Sequence, residues 1–149
     1  MLPYENSTSG KNALEEIQKI LKQFGCRKFA AGEDFENGTA FIQFEYRGHL
    51  VNLKASTTGY AQKWLKENPW SYRKKSTKQE WEDRATGIAE IAVYSILRDW
   101  VKSQTTLIET GITDFESVFL AYVILPDGSG RSVMEHIRQD GRLLPNLLS

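Results

Sequence analysis

The sequence predicts an α+β fold: an N-terminal helix, a three-stranded antiparallel meander, and a helical C-terminal half built round one long central helix. Apolar residues first recur at helical spacing between residues 12 and 24, then alternate strictly between residues 40 and 55. Beyond residue 76 the helical period returns behind Thr77-x-x-Glu80, Thr113-x-x-Glu116 and Ser132-x-x-Glu135, signatures that open helices. The 149 residues suit a single domain over 1–149, and no repeat or long linker divides them.

Leu14, Ile17, Leu21 and Phe24 form the stripe of the first helix, widened by Ile20. Asn12 and Glu15 are placed as a capping pair and Gly25 as the stop. Residues 1–10 are polar and expected to be mobile. The first strand falls near Arg27 to Gly32. Asn37-Gly38 then signals a hairpin, because both residues tolerate positive φ. Arg47-Gly48 marks a second tight turn that sets Tyr46 opposite His49. In that register Ala40, Ile42, Phe44 and Tyr46 share the apolar face with His49, Val51, Leu53 and Ala55. Phe41, Gln43 and Glu45 lie on the other face with Leu50, Asn52 and Lys54.

A short helix over residues 58–67 is stopped by Asn68-Pro69, since a residue before proline avoids the α region. Residues 71–76 read as a flexible polar loop. The long helix runs from Thr77 to about Thr110, with Trp81, Ala85, Ile88, Ala92, Ile96 and Trp100 as its main stripe. Ile91, Val93, Tyr94 and Leu97 add apolar surface on its other sides, which predicts a middle buried all round. Gly87 inside it costs roughly 1 kcal/mol relative to alanine, and Gly111 is placed to stop it. Phe115, Val118, Phe119, Tyr122 and Val123 predict a further helix, followed by a turn at Pro126-Asp127-Gly128. A last helix runs from Ser132 to a stop at Gly141. The leucine-rich tail, Leu143 to Leu148, is expected to pack on the body or on a partner.

A chain 40% hydrophobic and 26% charged has enough apolar matter for a core, which excludes global disorder. Nineteen basic residues balance nineteen acidic ones, so an electrostatic partner must be read by a local patch. Cys26, the single cysteine, excludes an intrachain disulfide and suits a reducing compartment. The start MLPYENSTSGK has no apolar core and does not read as a secretory signal, and no apolar run approaches the roughly 20 residues of a membrane span. A cytoplasmic protein without membrane contact is expected.

The residue types that carry chemistry are sparse. Cys26 follows a helix C-terminus, where the dipole favours the neutral thiol, and is read as inert. His49 and His136 are the only histidines and lack metal-ligand spacing; His49 is read as a core residue opposite Tyr46, His136 as a cation complementing a helix end. Glu90 interrupts an apolar run, where burial would suit acid or base work, and is read as facing the solvent edge or meeting Arg98. No phosphate loop or nucleophile elbow exists, and Gly128-Ser129-Gly130 before Arg131 reads as a polar turn before it reads as an anion site. No catalytic residue, metal or cofactor is predicted.

One segment stands out. Residues 60–81 read YAQKWLKENPWSYRKKSTKQEW, in which six cations outweigh two glutamates for a net +4. The stretch also holds Tyr60, Trp64, Trp70, Tyr72 and Trp81, five of seventeen aromatic residues. Cations for phosphates interleaved with rings for base stacking are what single-stranded nucleic acid requires. Trp64 and Trp81 fit helix stripes and are assigned to the core. The candidate contacts are Lys63, Lys66, Trp70, Tyr72, Arg73, Lys74, Lys75 and Lys78.

The element order helix, three strands, helix resembles the restriction-nuclease-like core, in which an E-x-K pair holds and polarises a metal-bound water. Asn52-Leu53-Lys54 has that parity, with Asp34 upstream, but asparagine replaces the acidic ligand and cannot supply its charge. The order also resembles the double-stranded RNA-binding domain, without its lysine pair. The run L-I-E-T-G-I-T-D-F-E-S-V-F-L-A-Y-V-I-L-P-D-G, from Leu107 to Gly128, resembles uncharacterised small proteins of phages and prophages that share G-I-T-x-F-E-x-x-F-L-A-x-x-x-L-P-D-G. That resemblance implies a mobile-element origin and a host-cell cytoplasmic location, and it brings no catalytic residue. The leading expectation is a non-enzymatic phage or prophage accessory protein that contacts single-stranded nucleic acid through residues 63–78. A protein-binding adaptor or inhibitor of a host system is the alternative, using the leucine-rich tail or exposed tryptophans. A metal-dependent nuclease-like protein, degenerate or active, ranks third.

Overall fold

The computed structural model describes residues 1–140. The first helix, α1, spans Gly10–Phe24 and buries Ala13, Ile17, Leu21 and Phe24 along one stripe. It ends as the sequence predicts: Gly25 takes φ 108°, and the Cys26 N–H donates to the Leu21 carbonyl at 3.0 Å. Its start differs. The helix opens after Ser9, so Asn12 lies inside the first turn and cannot cap it.

Three strands follow, β1 (Lys28–Asp34), β2 (Thr39–Tyr46) and β3 (His49–Ser56), in the antiparallel order β1-β2-β3. Arg47 at φ 49° and Gly48 at φ 82° make the expected two-residue turn, with Tyr46 opposite His49. The other connection is longer than the Asn37-Gly38 signal suggests. Asp34 pairs with Thr39, leaving four residues between the strands, and of Asn37 and Gly38 only the glycine has positive φ. Asp34 organises that loop by accepting from the Glu36 and Asn37 N–H groups, both at 3.1 Å, and from the Asn37 amide at 2.7 Å. Gly38 is required by packing as well, since a Cβ there would fall 1.7 Å from the Thr58 hydroxyl.

β3 runs straight into α2 (Thr57–Glu67), whose first turn is capped by Ser56 accepting from the Gly59 N–H at 2.9 Å. Asn68 leaves the helical region before Pro69. The long helix α3 (Lys78–Glu109) has 32 residues and is about 48 Å long. Thr77 caps it by accepting from the Glu80 N–H at 3.1 Å, while its own hydroxyl donates to the Glu80 carboxylate. From Gly87 to Val101 every residue is buried or half-buried, which matches the all-round apolar middle.

α3 is shared by two cores. The larger takes the inner sheet face (Ile42, Phe44, Tyr46, Val51, Leu53), the α1 stripe, Val101, Phe115 and Phe119. The smaller gathers Ala61, Trp64, Ala85 and Ala89, with Leu2, Tyr60, Leu65, Trp81 and Ile88 around them. Residues 1–10, expected to be mobile, make contacts with the body: Gly10 opens α1, Leu2 packs on the smaller core, and Tyr60 donates to the Pro3 carbonyl at 2.6 Å. Tyr4 binds Asp99, and Ser9 meets Ser95 at 2.9 Å.

The helix expected over Phe115 to Val123 is cut short. α4 covers Phe115–Phe119, a 3₁₀ turn covers Leu120–Tyr122, and Val123 bridges Val51 instead. The free edge of β3 explains the change: its Leu50 carbonyl accepts from the Ile124 N–H at 2.8 Å, a pairing that continued helix would forgo. Asp114, not Thr113, caps α4 by accepting from the Ser117 N–H at 2.8 Å. After the turn at Pro126-Asp127-Gly128, Ser132 bridges Ile124 and opens α5 (Val133–Asp140). Ser132 and Glu135 form both arms of the expected capping box, each at 3.2 Å. The predicted stop at Gly141 and the leucine-rich tail lie outside the described residues. Among the described residues no helix is long and apolar enough to cross a membrane.

Candidate nucleic-acid interface

The basic, aromatic segment joins α2 to α3, which pack against each other over the smaller core. Trp64 is 4% exposed and lies 5.2 Å from Trp81, ring to ring, so both belong to the core as their helix stripes require. The loop between the helices is pinned by two indoles. Trp81 donates to the Asn68 carbonyl at 2.7 Å, and Trp70 donates to the Ser76 carbonyl at 2.9 Å. Each indole satisfies a loop carbonyl with its N–H, and the Trp81 ring also packs on the smaller core. A further bond, from the Lys74 N–H to the Ser71 carbonyl at 3.0 Å, tightens the loop tip.

Tyr72 is held away from the body. It is 93% exposed, with its ring edge-on to the half-buried Trp70 at 4.9 Å. Lys74 sits over the Trp81 ring, its ammonium 4.3 Å from the ring centre, and Arg84 approaches the same ring at 5.4 Å. Arg73, Lys75 and Lys78 are exposed around this shelf, as are Lys63 and Lys66 on α2. Among the described residues none of these six cations forms a salt bridge. The two nearby glutamates are engaged elsewhere: Glu67 faces the N-terminal amine at 3.7 Å, and Glu80 is tied to the Thr77 cap. The structure thus brings Trp70, Tyr72, Arg73, Lys74, Lys75 and Lys78 together on one loop and helix start, with Lys63 and Lys66 on the helix before it.

The other candidates resolve differently. Cys26 is half-buried, and burial pushes its thiol up to about 12, far from an activated thiolate. His49 keeps its register opposite Tyr46 but is exposed, not core; it is the first residue of β3, at the rim, where it stacks on Phe115 at 5.9 Å. His136 is exposed on α5. Glu90 is half-buried and does not meet Arg98, which reaches Glu16, Asp99 and Ser9. Desolvation, then the charge of Glu33, raise the Glu90 carboxyl above its usual range. Glu33 in turn accepts from the Tyr94 hydroxyl at 2.9 Å.

The nuclease-like ligand set is not assembled. Lys54 pairs with Glu135 at 3.4 Å, while the Asp34 carboxylate is consumed by its own loop on the far strand of the sheet. The Asn52 side-chain oxygen is buried without a partner among the described residues. Those residues also contain no group of three or more His, Cys, Asp or Glu able to hold a metal ion. At Gly128-Ser129-Gly130 the place for an anion is taken by the chain itself, since Asp127 accepts from the Ser129 N–H at 2.9 Å and faces Arg131 at 4.0 Å.

Two features escaped the sequence. None of the four tryptophans is exposed, so the idea of exposed tryptophan anchors fails; a half-buried indole with its N–H on a loop carbonyl uses both ends of the side chain. A cleft of about 470 Å³ also lies beside the rings of Phe24, Tyr46, Phe115 and His49, rimmed by Arg47, Glu109, Asp114 and Glu116. Its residues come from four separate parts of the chain, and no local pattern announces it. Compared with known proteins, the chain matches no family model, no curated protein and no solved structure.

Proposed function

We propose that residues 63–78 form a contact for single-stranded nucleic acid in a non-enzymatic accessory protein of phage or prophage origin. The observation that carries the reading is Tyr72: a nearly fully exposed ring, on a loop pinned by two indoles, ringed by cations that form no salt bridge among the described residues. Exposing an aromatic ring to water brings no folding benefit, whereas stacking one base on it is worth roughly 1–3 kcal/mol. The lysines and arginine around it meet phosphates on either side of a stacked base. A duplex hides its base faces, which favours a single strand for this geometry. The phage origin rests on the Leu107–Gly128 run.

Fluorescence anisotropy with a labelled oligothymidylate tests the contact. Binding should weaken steeply with added salt. Replacing Arg73, Lys74 and Lys75 together by alanine should flatten the logarithmic salt slope by about 2, at about 0.7 for each phosphate no longer neutralised. Tyr72→Ala should weaken binding about 5- to 150-fold with the salt slope kept, the equivalent of removing one stack. No binding at low salt, or a triple variant that binds as the parent does, defeats the proposal.

A further inference from the structure

The free side of β1 carries a second, independent reading. β2 lies along one edge of β1, and among the described residues no backbone group pairs along the other. The outer edge of β3, by contrast, is taken by Ile124.

Which groups β1 leaves open follows from register. A two-residue hairpin closes on a hydrogen-bonded pair, so Tyr46 and His49 exchange both bonds. Alternation then turns the backbone of Glu45, Gln43, Phe41 and Thr39 toward β1, where their partners are Lys28, Ala30, Gly32 and Asp34. The Leu50 carbonyl, bonded to Ile124 on the side away from β2, obeys the same parity. The N–H and C=O groups of Phe29, Ala31 and Glu33 therefore point out of the sheet into the open edge.

Edge strands are ordinarily shielded by charge or irregularity. β1 has charges, but their order is self-complementary. Its seven residues read K-F-A-A-G-E-D. Laid antiparallel on a second copy with the two-fold axis at Ala31, Lys28 faces Asp34 twice and Phe29 faces Glu33; the facing charges are of opposite sign while each keeps its contact at home, Lys28 with Glu45 at 3.6 Å and Asp34 with its own loop. Ala30, Ala31 and Gly32 leave the centre free of bulk. A slip of one residue would bring the inward-bonded groups of Ala30 to the junction and lose the ladder.

We propose that β1 pairs with β1 of a second copy about Ala31, joining the two sheets into one. The interface is small, so the dissociation constant should be on the order of tens of micromolar.

Sedimentation equilibrium of the full chain tests this, together with amide exchange followed by NMR. The mass should rise toward two chains as concentration increases, and the amides of Phe29, Ala31 and Glu33 should gain protection in step. Those of Lys28, Ala30 and Gly32 should stay protected throughout. Ala31→Pro removes only an outward N–H, which an edge strand tolerates, and should give a folded monomer. Lys28→Glu, which sets carboxylate against Asp34 at the junction, should weaken association about 10-fold or more, and it does not depend on the proline variant folding. A mass that stays at one chain up to about 1 mM, or dimers of both variants as tight as the parent, overturns the proposal. So does protection at Phe29, Ala31 and Glu33 that is independent of concentration.

Discussion

The two ends of α3 serve cores of different kinds. Toward its C-terminus, Val101 joins a core of aliphatic and aromatic side chains between the sheet, α1 and α4, where Phe44 and Phe119 are almost wholly enclosed. Toward its N-terminus, Ala85 and Ala89 admit Trp64 closely, and a pair of tryptophans seals a much smaller cluster. The first core asks nothing of its side chains but shape. The second borders a polar loop: the Trp81 indole N–H, and beside the cluster that of Trp70, hold the loop carbonyls that lead to Tyr72 and the cations. The molecule thus separates the part that makes it stable from the part that presents a surface.

Truncation should expose that difference. Phe119→Ala, at a site with no exposure, should cost about 3–5 kcal/mol in urea unfolding, and Phe44→Ala a similar amount. In the smaller core Trp64→Phe should cost less than about 1.5 kcal/mol. Volume is removed there, but so is an indole N–H that is buried with no partner among the described residues. A loss above about 3 kcal/mol at Trp64 would mean that the two cores are equally demanding and the contrast is wrong.

The same division explains what could be read in advance. The larger core was legible because a sheet with one buried face prints a period of two, and α1 prints its stripe and its glycine stop. The long helix was legible from its cap at Thr77 and its apolar middle. The start of α1 after Ser9, which makes no capping bond with its side chain, and the cap at Asp114 were not, because neighbouring residues of equal aptitude compete and tertiary contacts decide. Val123 could not be placed, since its departure from helix depends on a β3 edge that is distant in sequence. At the candidate interface the residue types were plain, but the indole staples depend on the path of the loop, which composition does not encode.

Gly87 offers a finer test. It lies inside α3 in the stretch that carries the smaller core, and a Cβ there would meet nothing within 4 Å. Gly87→Ala should therefore raise stability by about 1 kcal/mol through the unfolded chain and helix propensity alone, without altering nucleic-acid binding. A destabilised variant would show that the helix needs its glycine for closer packing than the surrounding atoms imply.

The smallest expected effects concern two glutamates of opposite character. Glu90, half-buried near Glu33, has its carboxyl raised by desolvation first and by that neighbour second. Its ionisation opposes folding, so the penalty is absent below the ordinary glutamate range and complete above the raised value. Glu135 is the reverse: the Ser132 N–H holds its carboxyl low, with Lys54 adding to the effect, so it contributes stability at neutral pH that is lost as pH falls through the lowered value. Glu90→Gln should accordingly be more stable than the parent at pH 7, by a margin that shrinks on acidification. Glu135→Gln should be less stable at pH 7, by a margin that also shrinks. Thermal unfolding of both variants between pH 3 and 7 separates them by sign, which a shared response to acid could not do. Because solvent reaches both side chains, each difference is small, and the sign is what distinguishes a carboxylate that the fold tolerates from one that it uses.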